Sequence, residues 1–130
     1  MHLYYFGKVS SETSQKLLTE IENISDHIVQ IFQTVTSLTK RLRQIEATPE
    51  FFIFAPSTNN ELSELIAQKG LFKDHSIILI LPDSSNTTIH NGHLLLPRFL
   101  TFADSNLSEV VDVLEKMRSS NFLNPSIIIN

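Results

Sequence analysis

Two stretches of this sequence are apolar at every position. Residues 51–54 read Phe-Phe-Ile-Phe, and residues 77–81 read Ile-Ile-Leu-Ile-Leu. A strand with one face in water alternates apolar and polar side chains, whereas a strand that is covered on both faces is apolar throughout. Helices cover parallel sheets in this way. We therefore expect both stretches to be central strands of a parallel sheet in an α/β domain.

Three shorter apolar runs, residues 3–6, 28–32 and 99–102, complete a set of five predicted strands. Most segments between the runs carry apolar residues at helical spacing behind a Ser or Thr that can cap the first turn. The last predicted helix is entered through Asp104 or Ser105, and its apolar stripe consists of Leu107, Val110, Val111, Leu114 and Met117. Strands that alternate with helices predict βαβ units with right-handed crossovers.

The segment between the fourth and fifth predicted strands departs from this alternation. Residues 83–97 show no helical period, and Asn91-Gly92 is a strong hairpin signal. We expect a hairpin there in place of a helix, so the fourth crossover helix is degraded. His90 and His93 would then face each other and bind a metal if a third ligand converged. We interpret them as exposed loop residues and expect no metal site.

Length and composition exclude several classes of protein. A chain of 130 residues predicts one domain, and its net charge of −4 does not favour nucleic acid as a partner. Without cysteine, there is no disulfide, thiolate nucleophile or thiolate zinc site. No apolar stretch approaches the length that crosses a bilayer, and residues 1–8 do not resemble a signal peptide. We expect a cytoplasmic protein with no membrane partner.

The chain ends in an apolar, β-branched run after the predicted domain, which spans residues 1–120. In the tail, residues 121–130, the last apolar residues are Ile127, Ile128 and Ile129. A strand at this position needs a partner edge. It either joins the sheet of its own chain, pairs with a second copy, or continues into a longer chain.

The order of five βα units, with buried third and fourth strands and a final amphipathic helix, resembles the receiver domain of bacterial response regulators over about residues 2–118. This resemblance implies a flavodoxin-like, three-layer fold with a parallel sheet of strand order 2-1-3-4-5. In the receiver family, an acidic pair after the first strand holds Mg²⁺ and an Asp after the third accepts phosphate. A Ser or Thr ends the fourth strand and a Lys ends the fifth.

The sequence departs from that pattern at each of these positions. Gly7 and Lys8 follow the first strand, Ala55-Pro56 follows the third, Leu81-Pro82 ends the fourth, and Phe102 replaces the Lys. Phosphoryl transfer requires charge neutralisation around a metal that carboxylates hold. We interpret Asp83 and Asp104, just beyond the fourth and fifth strands, as turn or cap residues. We therefore expect no catalytic residues, no cofactor and no enzymatic activity.

Two hypotheses of function follow. The first is a non-catalytic, receiver-like signalling module that binds another protein and forms a homodimer. Its expected partner surface is residues 86–118. The apolar residues proposed for the interface are Leu107, Val111, Phe122, Leu123, Ile127, Ile128 and Ile129.

The alternative is a protein that binds a nucleotide, flavin or phosphate at the carboxyl ends of the strands, where open α/β sheets bind ligands. That rim would include Gly7, Lys8, Ser57, Thr58, Asp83 and Ser84. Ser57 and Thr58 could meet a phosphate at a helix N-terminus, but we interpret them as caps. Likewise, Tyr4 and Tyr5 are interpreted as core residues rather than as a surface for stacking a base.

Overall fold

The five predicted strands form one parallel sheet of order β2-β1-β3-β4-β5, as expected. The computed structural model describes residues 2–24, 28–44, 49 and 51–127, with side chains of the last helix described as far as residue 118. The strands are β1 (His2–Gly7), β2 (Ile28–Phe32), β3 (Phe51–Ala55), β4 (Ser76–Leu81) and β5 (Phe99–Phe102). The helices are α1 (Glu12–Glu22), α2 (Val35–Leu42), α3 (Asn59–Ala67), α4 (Asn86–His93) and α5 (Ser108–Ile127).

The central strands divide the interior into two cores. Alternate residues of β3 point to opposite faces, so Ile53 packs with α1 and α5 and Phe54 packs with α2 and α3. Tyr5 belongs to the first core and Tyr4 to the second, and both side chains are at most 2% exposed. The interpretation of both tyrosines as core residues is confirmed.

Short polar side chains start the first three helices, as the sequence predicts. Ser11, Thr34 and Thr58 each accept a hydrogen bond from the backbone N–H three residues later, at 3.1, 3.1 and 3.2 Å. The Glu61 carboxylate in turn accepts from the backbone N–H of Ser57 at 2.7 Å. Each cap satisfies an amide that lacks a partner within its helix.

The predicted start of α5 is wrong by several residues. The helix begins at Ser108, whose backbone N–H donates to Asn106 Oδ1 at 3.1 Å. Ser105 instead bonds back toward β5, because its hydroxyl donates to the carbonyl of Phe102 at 2.7 Å. The loop therefore extends past Asp104 and Ser105 before the helix starts.

The predicted hairpin between β4 and β5 is also wrong, because α4 is a complete crossover helix. Ser85 caps it by accepting from Thr88 N–H at 3.3 Å. Gly92 is buried, and a Cβ on it would lie 3.1 to 3.2 Å from methyl groups of Leu79 and Leu81. In this chain, Gly92 therefore allows a helix to approach the sheet closely and does not turn a hairpin.

The predicted C-terminal strand does not form within the described residues. The backbone of α5 is helical through Ile127, while Ile128 and Ile129 lie outside the described residues. A helix satisfies its backbone hydrogen bonds within its own segment, whereas a terminal strand needs a neighbouring edge.

Among the described helices, none combines the length and apolar character that a membrane span requires.

Candidate functional site

A cleft of about 350 Å³ opens at the carboxyl ends of β1, β3 and β4, where the strand order changes direction between β1 and β3. This is the place where open α/β sheets bind ligands, and the volume is within the range of small-molecule sites. Its lining residues come from the strand ends, the start of α1 and the loop before α5: Tyr5, Lys8, Ser10, Ser11, Thr13, Ser14, Leu17, Ala55, Pro56, Ser57, Ile80, Pro82, Ala103 and Leu107.

The structure brings two of the predicted rim residues, Lys8 and Ser57, into this cleft. Gly7 stands directly beside it, because a Cβ there would lie 3.0 Å from the Tyr5 hydroxyl and 3.1 Å from Ala55. Thr58, Asp83 and Ser84 do not line the cleft. Thr58 serves as the cap of α3, which agrees with its interpretation as a cap.

Asp83 belongs to a separate hydrogen-bonded group that starts α4. Its carboxylate accepts from the backbone N–H of Ser85 at 3.0 Å. That bond, together with hydroxyl groups of Thr88 and Ser85, lowers the pKa of the exposed Asp83 carboxyl. The Thr88 hydroxyl donates to Asn59 Oδ1 at 2.9 Å, which ties the start of α4 to the start of α3. Asp83 is therefore a turn residue.

Sequence reasoning missed the cluster of hydroxyl groups at the start of α1. Ser10, Ser11, Thr13 and Ser14 all line the cleft. The Ser11 hydroxyl donates to Ser14 Oγ at 2.8 Å, and Ser14 Oγ donates to the carbonyl of Ser11 at 3.0 Å. The concentration of Ser and Thr in residues 10–14 is the sequence signal for this cluster, although by itself it indicates no more than a helix cap.

Sequence reasoning also missed the hydroxyl of Tyr5. The residue is 1% exposed, yet it contributes to the lining of the cleft. Within the described part of the chain, its hydroxyl has no hydrogen-bond partner. Burial raises the pKa of Tyr5 to about 12. The hydroxyl is therefore neutral at physiological pH and can both donate and accept a hydrogen bond.

The charge of the described cleft lining is positive, whereas a cation site needs negative charge. Among the described lining residues there is no Asp or Glu, and Lys8 is the one charged side chain. The N-terminus of α1 adds partial positive charge. Since Mg²⁺ and Ca²⁺ require oxygen ligands that usually include carboxylates, the described lining residues do not fit such a cation.

His90 and His93, which could bind a metal only if they faced each other across a hairpin, both lie on α4. That hairpin does not form. His90 and His93 are both exposed. Among the described residues, no group of three or more metal-binding side chains of His, Cys, Asp or Glu is close enough to hold an ion.

The proposed interface residues in and just before α5 lie in different surroundings. Leu107 forms part of the cleft wall, and both Leu107 and Val111 pack, partly buried, against the core beside α1. Phe122, Leu123 and Ile127 belong to α5, but only their backbone is described. The structure therefore leaves Leu107 and Val111 less free for a partner than the sequence suggested.

Comparison with known proteins gives one solved structure of similar fold. It is a response regulator protein from Burkholderia pseudomallei, in a crystal structure with a phosphorylated aspartic acid, a calcium ion and citrate. The match covers 95% of this chain and 74% of that chain, with a TM-score of 0.66 and 13% sequence identity. No protein-family model matches the sequence, and no curated protein matches it.

The strand order and this similarity define the class of fold. The chain has the flavodoxin-like fold of a response-regulator receiver, which confirms the resemblance in pattern. At this level of sequence identity the similarity concerns fold, so function must be argued from the residues of the site.

Proposed function

We propose that this chain is a receiver-like signalling module of the cytoplasm that acts by binding another protein and takes no phosphoryl group. The receiver fold supports a role in signalling. The observation that carries the proposal is the lining of the cleft. Lys8, Ala55, Pro82 and Ala103 lie at the strand ends, and the described lining residues include no carboxylate.

The physical reason is the chemistry of acyl phosphate formation. That reaction needs a carboxylate nucleophile, together with a cation that neutralises the charge on the phosphoryl oxygens. Neither requirement is met by the described lining of the cleft. Asp83 and Asp104 are both exposed and lie outside it.

Incubation with acetyl phosphate and Mg²⁺ tests this proposal. We expect no acyl phosphate by intact-mass spectrometry, under conditions in which a phosphorylatable receiver is labelled as the positive control. A stoichiometric, acid-stable and base-labile adduct on Asp83 or Asp104 would overturn the proposal, because it would identify that residue as a phosphoacceptor.

Self-association is the second element of the proposal. The described buried side chains of α5 end at Met117, but its backbone remains helical to Ile127. At about 1.5 Å per residue, this last part of the helix extends well over 10 Å further. The sequence there contains Phe122, Leu123 and Ile127. A helix that carries such apolar residues can bury them against a second copy, and two-fold symmetry makes the contact reciprocal.

A further inference from the structure

The proposed function, binding of another protein, gives no role to the hydroxyl of the buried residue Tyr5. Nearly all polar groups in folded proteins are paired with another protein group, with solvent or with a ligand. Tyr5 is 1% exposed, and its hydroxyl has no partner in the described part of the chain. It contributes to the lining of the cleft, where a bound molecule could supply the missing partner.

The polar residues of the cleft lining have the character of an anion site. The first turn of α1 presents backbone amides and the positive end of the helix dipole, and the hydroxyl groups of Ser10 and Thr13 lie beside it. Lys8 adds a full positive charge. The nearby Glu12 lines a neighbouring groove, together with Lys16 and Glu20, and not this cleft.

The cleft lining also has an apolar part. Leu17, Ile80 and Leu107 contribute to it, together with the rings of Pro56 and Pro82. A simple inorganic anion would leave these residues without a contact. A ligand that combines an anionic group with a short apolar body would contact both the polar and the apolar residues of the lining.

We propose that the cleft binds a small organic anion, with its anionic group between Lys8, the first turn of α1 and the Tyr5 hydroxyl, and its apolar body against Ile80, Pro82 and Leu107. The ligand is a carboxylate or a phosphate ester, which share this chemistry. Such a ligand would provide the module with an input that does not depend on phosphorylation.

Four probes separate the parts of this proposal. Hexanoate and butyl phosphate are both amphipathic anions, inorganic phosphate has no apolar body, and hexanol has no charge. Binding is followed by ¹H–¹⁵N NMR titration of the full chain. We expect at least one amphipathic anion to bind with a Kd of about 1 mM or tighter, and the other two probes to bind at least about tenfold more weakly. Shifted amides should cluster at residues 7–14 and at Ala55, Ser57, Ile80 and Leu81.

Two variants and a matched control identify the residues responsible. We expect Tyr5→Phe and Lys8→Gln each to weaken binding of the anionic probe about tenfold, the effect of one lost charge-assisted interaction. Tyr4→Phe removes the same atom on the other side of the sheet, where Tyr4 packs on Phe32 and Phe52. It should leave the Kd unchanged.

The proposal is overturned if neither amphipathic anion binds up to 10 mM, or if hexanol binds as tightly as hexanoate. It is also overturned if Tyr4→Phe and Tyr5→Phe weaken binding equally. These results do not depend on the acetyl phosphate experiment, so either proposal can fail without the other.

Discussion

Tyr5 and Gly7, two residues apart on β1, illustrate how closely the end of this strand is packed. The Tyr5 hydroxyl lies 3.0 Å from the position that a Cβ on Gly7 would occupy. The same Cβ would approach the side chain and the carbonyl oxygen of Ala55 to 3.1 Å. The absence of a side chain at Gly7 therefore makes room for the phenol of Tyr5 and for the neighbouring strand β3.

Ionisation of Tyr5 predicts a loss of stability at alkaline pH. Because its pKa rises from 10.0 to about 12 on folding, the neutral form is favoured in the folded state. The resulting contribution is fully present below pH 10 and is lost as the pH rises toward 12. We expect the free energy of unfolding to fall by about 2 kcal/mol between pH 8 and pH 11.5 from this group.

Urea denaturation of the original chain and of Tyr5→Phe at both pH values measures this contribution. The variant should lack it and should be at least as stable at pH 8, because the removed hydroxyl has no partner in the described chain. An equal alkaline loss in both proteins would show that Tyr5 is not its source.

Substitution of Gly7 tests the packing at the strand end. In Gly7→Ala the new methyl group must displace the Ala55 backbone or the Tyr5 ring, and the backbone φ of 158° is unfavourable for alanine. We expect the free energy of unfolding to decrease by about 2 kcal/mol. Gly70→Ala is the control, since no atom lies within 4 Å of its added Cβ, and it should change stability by less than about 0.5 kcal/mol. Equal effects at both glycines would contradict the close packing at Gly7.

At the level of secondary-structure elements, α4 differs most from the expectation. The helix is only eight residues long and includes Gly92, which has low helix propensity. Its start is held by Ser85 and by the hydrogen bond from Thr88 to Asn59 on α3. Tertiary contacts thus stabilise a helix that its local sequence does not favour.

Gly92→Ala separates helix propensity from packing in α4. Alanine favours a helix by about 1 kcal/mol over glycine, but the added methyl group would crowd the buried side chains of Leu79 and Leu81 at 3.1 to 3.2 Å. Because overpacking of a core costs about 1 to 3 kcal/mol, we expect a net destabilisation of about 1 kcal/mol. Chemical denaturation measures it. A variant more stable than the original chain would indicate that α4 does not pack on β4 as described.

At the scale of the whole molecule, truncation tests the proposed homodimer. We expect the full chain to be dimeric by light scattering, and a version ending at Ser120 to be monomeric and still folded, because the described core residues all precede residue 118. Circular dichroism of the truncated chain controls for folding. A monomeric full chain, or a truncated chain that dimerises equally well, would exclude the tail as the interface.

The pattern of apolar residues along the sequence was sufficient to predict most of the fold. Residues 51–54 and 77–81 are uniformly apolar because both faces of β3 and β4 are covered, and this property is visible in a single segment. Thr58 predicted the start of α3 because a capping interaction spans only a few residues. The order of the strands came from a family resemblance, and the structure confirms it.

The errors arose where one local pattern is compatible with two structures. Asn91-Gly92 is a strong hairpin signal, and tertiary contacts such as that of Gly92 with β4 select a helix. The isoleucines at the end of the chain favour a strand, and this remains a prediction because Ile128 and Ile129 lie outside the described residues. For the candidate site, the sequence placed Lys8 and Ser57 at the correct edge of the sheet, because residues that follow parallel strands share that edge.

By itself, the sequence determined the α/β class, the central strands and the absence of acidic residues directly after β1 and β3. Tertiary structure alone decided that Tyr5 reaches the cleft and that Asp83 does not contribute to its lining. Periodicity specifies which face of a strand is buried, and for Tyr5 it therefore indicates the core. Whether a buried hydroxyl finds a partner depends on residues brought together from β1, β3, β4 and α1, which are distant in the sequence.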